Sequence, residues 1–134
     1  MKLLLVVAVA LVDADNRVLL AQRPPGKQLA GLWEFPGGKV EPGEVPEAAL
    51  ARELGEELGI EVGPDDLVPA CFASAPNGEA HMLLLLYLCR QWRGAPAPLD
   101  AAALHWATPA EMRGLAMPPA DRPLIDLIER LLQS

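Results

Sequence analysis

The chain has 134 residues, 51% of them apolar, a net charge of −7 and two cysteines. That length suits one domain over residues 1–134 with a single core. The acidic balance argues against a nucleic-acid polymer as partner, because polymers need a basic footprint. It leaves a small nucleotide open, since a bound cation inverts the sign of a locally acidic site.

Residues 3–12 predict a first strand, apolar on both faces and therefore central. Lys2 and the run behind it mimic a short signal peptide. The run flows into the turn Asp13-Ala14-Asp15-Asn16 and a second apolar run, so the pair predicts a buried hairpin. No apolar run reaches the ~18 residues of a membrane span, and no membrane partner is expected. Residues 17–23 predict the second strand, broken by Pro24-Pro25-Gly26. Arg23 stands at its end, and reads equally as a surface cation and as a fork for phosphate oxygens. Trp33 reads as core. Phe35 reads either as core or as a wall for a bound base.

Residues 38–60 are the organising stretch. Gly37-Gly38 permits a tight backbone path and Pro42-Gly43 marks a turn. Pro46 suits a first helical turn, residues 47–58 predict a helix, and Gly59 stops it. Leu50, Leu54 and Leu58 form an apolar stripe. Glu53, Glu56 and Glu57 share a neighbouring face at i, i+3 and i+4, where like charges repel. Arg52 offsets part of this through an i, i+4 pair with Glu56. A cluster of hard oxygen donors with no matching cations invites a divalent metal, Mg²⁺ before others, because Mg²⁺ combines a few carboxylates with water and substrate phosphate. Taken alone, E-x-x-E-E also reads as a solvated face.

Residues 67–75 predict a strand, Pro76-Asn77-Gly78 a turn, and residues 80–92 a long apolar strand. His81 beside that turn reads as structural. Residues 94–98 form a connector and residues 104–108 a short strand. Thr108, Pro109 and Glu111 spell the cap of a short helix. Residues 124–134 predict a last helix with a broad apolar face. Cys71 and Cys89 fall on strands without metal-ligand spacing, and read as free buried thiols from a reducing compartment, the cytoplasm. The order β, β, α, β, β, β, α fits an α/β fold, an α/β/α sandwich with a central mixed sheet.

The order G-x5-E-x7-R-E-L-x-E-E-x-G-I, from Gly38 to Ile60, resembles the Nudix hydrolase signature at all nine of its fixed positions. The resemblance extends over the chain through LLAQRP, LWEFPGGKVEPGE, Trp106 and PPADRPLI, and points to the MutT branch. It implies the Nudix fold. It also implies that Glu53, Glu56 and Glu57, with the Gly38 carbonyl, hold Mg²⁺, for which Mn²⁺ can substitute. Glu44 and Arg52 are then bracing motif positions. Close relatives use one more carboxylate six residues before a tryptophan; here that is Asp100, an Asp where they carry Glu. The branch removes pyrophosphate from nucleoside triphosphates, which implies nucleotide-pool sanitising on 8-oxo-dGTP, or the CTP and 5-methyl-dCTP reaction. In MutT the segment resembling PPADRP presents an asparagine to the oxidised guanine edge; here the residue is Asp121, which reads equally as a helix cap. An ADP-ribose-type hydrolase and a non-catalytic nucleotide-binding module are the alternatives. The second is disfavoured because such modules usually lose box carboxylates and this chain keeps them all. The expected partner is a small nucleotide, and the expected assembly a monomer or weak homodimer.

Overall fold

The computed structural model describes residues 1–133 and contains seven strands, three α-helices and a 3-10 turn. The predicted helix end at Ser134 lies outside the described residues. Strand β1 (Lys2–Leu11) runs through the centre of a four-stranded sheet. It pairs in parallel with β6 (Ala80–Cys89) and antiparallel with the short β4 (Gly37–Lys39). Strand β5 (Val68–Asn77) closes the other edge against β6. The second sheet is antiparallel, in the order β3 (Trp33–Glu34), β2 (Val18–Gln22), β7 (Ala103–Ala107).

The period of two along β1 builds both halves of the core. Val7, Val9 and Leu11 face one cluster, with Leu50, Leu54 and Leu58 of helix α1 (Pro46–Leu58). Ala8 and Ala10 face the other, with Leu124, Ile125 and Ile128 of helix α3 (Arg122–Leu132). An apolar run without alternation is what a strand covered on both faces requires. The three leucines of α1 are 0–1% exposed, and each contributes about 1.5–3 kcal/mol by leaving water. Pro46 is the first residue of α1, and Gly59 ends it in the left-handed region at φ 71°. Helix α2 (Pro109–Arg113) starts on the predicted reciprocal cap. Glu111 N donates to Thr108 Oγ1 over 3.2 Å, and Thr108 N donates to Glu111 Oε1 over 2.9 Å.

Three expectations are corrected. The first two long strands are not a hairpin within one sheet; only Val12 and Val18 bridge them, and each strand joins a different sheet. The turn after β5 is narrower than Pro76-Asn77-Gly78. Pro76 pairs with His81 and Asn77 with Ala80, leaving Gly78 and Glu79 between the strands. Proline is tolerated there because β5 is an edge, where an N–H can be missing from the ladder. The strand predicted over 80–92 ends at Cys89, after which Trp92 stacks on Trp106 with ring centroids 6.1 Å apart. Both cysteines are free. Cys89 is buried and Cys71 half-buried. His81 accepts or donates a 2.6 Å bond with Ser74 Oγ across the β5–β6 hairpin, in keeping with a structural role.

Candidate active site

Gly37 and Gly38 carry the chain from β3 to the box along β1, antiparallel to it. A Cβ on Gly37 would stand 2.0 Å from the Val7 carbonyl oxygen, so only glycine permits this approach. The backbone of Gly38 lies directly under helix α1: a Cβ there would fall 2.5 Å from the Glu53 carboxyl carbon. The loop between β4 and α1 is tied to the helix by a fork. Arg52 Nε donates to Glu44 Oε2 over 2.8 Å, and Arg52 Nη2 donates to Glu44 Oε1 over 3.0 Å. Glu41 N donates to the same Glu44 Oε1 over 2.9 Å. The Arg52 bond, with help from the Glu41 amide, holds the Glu44 carboxyl down at about 2. Arg52 also reaches Glu53 at 3.0 Å and Glu56 at 3.5 Å, so one guanidinium relieves part of the carboxylate repulsion.

The relief stops short of Glu57. Burial, then the charges of Glu53, Glu34 and Asp100, push its carboxyl up to about 8, against a backbone hydrogen bond from Gly37. Its Oε2 is buried without a hydrogen-bond partner among the described residues. Burial also raises Glu53. Glu56 is more exposed, with 61% of its side chain accessible. Asp100 arrives on the 90–102 connector, which docks on the C-terminal end of α1: Ala97 N donates to Leu58 O and Leu99 N to Glu57 O. Among the described residues, no three His, Cys, Asp or Glu side chains already converge as a closed ligand set. The donors present nonetheless fit a hard divalent cation. They are all oxygens, one is orphaned and buried, and the Gly38 backbone leaves open the space a Cβ would fill.

A cavity of about 290 Å³ opens beside this acidic end. Val6, Ala8, Met82 and Leu84 line it from the sheet, and Asp121 closes it at the start of α3. Asp121 is not a side-chain cap, for its carboxyl makes no cap bond. Its Oδ2 instead accepts from Phe35 N over 3.2 Å, and only 7% of the residue is exposed. Burial pushes the carboxyl up to about 7, with the Phe35 amide and Arg23 pulling down and Glu34 pushing up. Phe35 takes the core place that was one of its two readings. It is a core residue at 3% exposure, and it lines the cavity. Arg23 is neither a free surface cation nor an unengaged fork. Its Nε donates to Glu34 Oε2 over 2.9 Å and its Nη1 to Gln28 O over 3.2 Å. Glu34 is the cavity residue that sequence reasoning missed. A lone charge between the aromatics Trp33 and Phe35 was its one signal.

A NUDIX domain model matches residues 2–128. The chain belongs to the Nudix family. It is similar to the CTP pyrophosphohydrolase of Escherichia coli K12, 40% identical over 126 residues, covering 94% of this chain and 91% of that protein. It is 43% identical over 136 residues to the putative 8-oxo-dGTP diphosphatase 2 of Mycobacterium tuberculosis, covering 96% and 89%. The solution structure of the E. coli ORF135 protein superposes with a TM-score of 0.86 at 37% identity, covering 98% of this chain and 91% of that one. The chain is thus a Nudix hydrolase of the MutT-like branch with the mixed α/β fold expected. Enzymes of this family act on small nucleotides and generally need a divalent metal. No helix among the described residues is long and apolar enough to cross a membrane.

Proposed function

We infer that this chain is a Mg²⁺-dependent pyrophosphohydrolase that converts a nucleoside triphosphate to its monophosphate, with 8-oxo-dGTP as leading substrate and Mn²⁺ as substitute metal. Glu53, Glu56, Glu57 and the Gly38 carbonyl would hold the cation, with Asp100 at its margin. When bound, the cation supplies charge neutralisation and Lewis acidity for breaking a phosphoanhydride. Glu44 and Arg52 hold the loop and helix in register so that Glu53 stays against Gly38. One of the box glutamates, or Asp100, would accept the proton of the attacking water. A protein of this kind, with two free thiols, suits the cytoplasm and works as a monomer or weak homodimer.

Asp121 carries the choice of base. One oxygen is held by the Phe35 amide, and Oδ1 accepts no hydrogen bond from the described residues. A carboxyl that titrates near 7 can accept from the N7–H of 8-oxoguanine and, when protonated, donate to its O6. The ionised form accepts from the cytosine amino group, which favours CTP and 5-methyl-dCTP as the second reading. The likeness to both named relatives supports carrying either substrate here.

The test is steady-state hydrolysis with Mg²⁺ of 8-oxo-dGTP, dGTP, CTP, dCTP, 5-methyl-dCTP and ADP-ribose, with monophosphate and pyrophosphate both quantified. The expected result is an excess in kcat/KM for 8-oxo-dGTP over dGTP of about a hundredfold, about 2.7 kcal/mol. A preference for the cytidine nucleotides would install the second reading. No pyrophosphate from any triphosphate would overturn both.

A further inference from the structure

Leu99 is an exposed apolar residue, 62% accessible, that belongs to neither core cluster. It lies on the connector between β6 and β7, one residue before Asp100. That connector is closed at its base by the stack of Trp92 on Trp106. Further anchors hold it on both sides of Asp100. On one side, Ala97 N donates to Leu58 O over 3.0 Å and Leu99 N to Glu57 O over 3.1 Å. Those carbonyls belong to the last turn of α1, where a helix leaves its acceptors unpaired. On the other side, Ala102 N donates over 3.0 Å to the carbonyl of Gln22, at the end of β2. Pro96 and Pro98 flank Ala97 and fix φ on either side of it, so the chain between the anchors has little slack.

Gly59 supplies the floor. A Cβ there would stand 3.2 Å from Leu99 Cδ1, so the leucine methyl rests on the bare backbone of the helix stop. The glycine that ends α1 in the left-handed region therefore also seats the connector. Leu99 thus joins two acids: it precedes Asp100 in the chain, and its amide is bonded to the carbonyl of Glu57. The charge of Asp100 acts on the Glu57 carboxyl. We propose that Leu99 is a positioning residue, whose seat on Gly59 and whose bond to the Glu57 carbonyl set Asp100 beside the acidic end. This inference rests on the metal-dependent hydrolase reading given above. It adds a residue that acts only through Asp100. An Asp side chain is short, so its reach depends on where its backbone stands, and a small misplacement of a reacting group costs rate steeply.

The experiment is a double-mutant cycle between Leu99→Ala and Asp100→Asn, read in two ways. Hydrolysis of 8-oxo-dGTP and of CTP with Mg²⁺ gives kcat and KM separately. Without nucleotide, Mn²⁺ is titrated in, and the paramagnetic broadening of backbone amides near the cation is followed by NMR. Leu99→Ala should lower kcat about tenfold with KM little changed. In Asp100→Asn the same leucine change should cost nothing further, because residues that work through one another are not additive. Leu99→Met keeps an apolar chain of similar reach and should recover most of the loss. Mn²⁺ should broaden the Asp100 amide in the native protein and much less in Leu99→Ala, with the broadened amides of α1 unchanged. The melting temperature of Leu99→Ala should stay native, since the residue is exposed. Equal losses from Leu99→Ala with and without Asp100 overturn the proposal and leave the pyrophosphohydrolase reading intact. So does an Asp100 amide that broadens as much in Leu99→Ala as in the native protein. No hydrolysis of any triphosphate removes that reading, and the Mn²⁺ broadening alone then decides whether Leu99 places Asp100.

Discussion

The two ends of the site both hold a carboxyl pushed well above its ordinary range, and they do so by different means. At the acidic end, Glu57 is buried among other carboxylates, and its Oε2 has no hydrogen-bond donor among the described residues. At the far end, Asp121 is more deeply buried but receives the Phe35 amide and feels Arg23. The first environment asks for a cation, since only positive charge removes a repulsion among acids. The second asks for a ligand with its own hydrogen-bonding pattern, since the carboxyl there is half satisfied already. A chain that builds the second into a cavity and the first beside it separates catalysis from recognition in space.

The largest effect expected from breaking this contrast is at Glu57. Glu57→Gln should cost about a hundredfold or more in kcat/KM with Mg²⁺, equivalent to about 2.7 kcal/mol or more. In EDTA its melting temperature should not fall, because the amide replaces a buried carboxyl that stands among other acids and whose Oε2 has no hydrogen-bond partner among the described residues. Native-like turnover would sink the assignment of the acidic end. A smaller loss, about tenfold, is expected of Gly38→Ala. The new Cβ would stand 2.5 Å from the Glu53 carboxyl carbon and push that side chain off the backbone it faces. Folding should survive, since the displaced group is a side-chain end; a matched loss of melting temperature and activity would mean instead that the backbone had shifted.

How legible these two ends are in sequence follows from their range along the chain. The acidic end is local. The stripe of α1, the stop at Gly59 and the fork from Arg52 to Glu44 all lie within residues 44–59; helical spacing and punctuation are enough to expect the first two, and the family resemblance implies the third. The far end joins Phe35 to Asp121, 86 residues apart, and no period connects them. Asp121 beside Pro123 therefore read as well as a cap as a recognition group. Glu34 drew no reading at all, because its partner Arg23 comes from the end of β2 and the carboxyl it acts on, Asp121, from the start of α3. The same reason explains the fold's misreadings. β3 and β4 are two and three residues long and exist only through their pairing partners. The split of β1 and β2 between two sheets is set by what packs on each, not by the turn that joins them.

The pH dependence separates the ends further. Glu57 titrates at about 8 and Asp121 at about 7 in the folded chain, above ordinary values of 4.5 and 3.8. The native state therefore holds these protons more tightly than the unfolded chain. Their contribution to stability is full below the ordinary values and is lost as pH rises through 7 to 8. In EDTA the melting temperature should fall between pH 5 and pH 8, less steeply in Glu57→Gln and in Asp121→Asn. Adding Mg²⁺ at pH 8 should restore the share that belongs to Glu57 and leave that of Asp121. Full recovery in both variants alike would mean that the two ends are not electrostatically separate. Asp121→Asn should also move base preference, by about tenfold between 8-oxo-dGTP and dCTP, since an amide donates at every pH. A change in kcat/KM of the same size for all bases would deny Asp121 the recognition role.

The smallest effect is expected where neither end is touched, and it shows what an ordinary polar contact does in this fold. The reciprocal cap of α2 joins Thr108 and Glu111, and Met112 behind it is fully buried. Thr108→Ala leaves the Glu111 amide without its acceptor at the helix start, and should cost about 1 kcal/mol in denaturant unfolding. Its kcat/KM should stay native on every triphosphate. This is the reverse of the pattern expected at Glu57, where activity goes and metal-free stability stays. The polar pair at α2 exists to be satisfied by its own chain, whereas the carboxyls of the site are held short of satisfaction so that a ligand completes them. An activity loss in Thr108→Ala as large as that of Gly38→Ala would mean that the cap transmits to the cavity through α3, and the division between structural and functional polar groups drawn here would have to be redrawn.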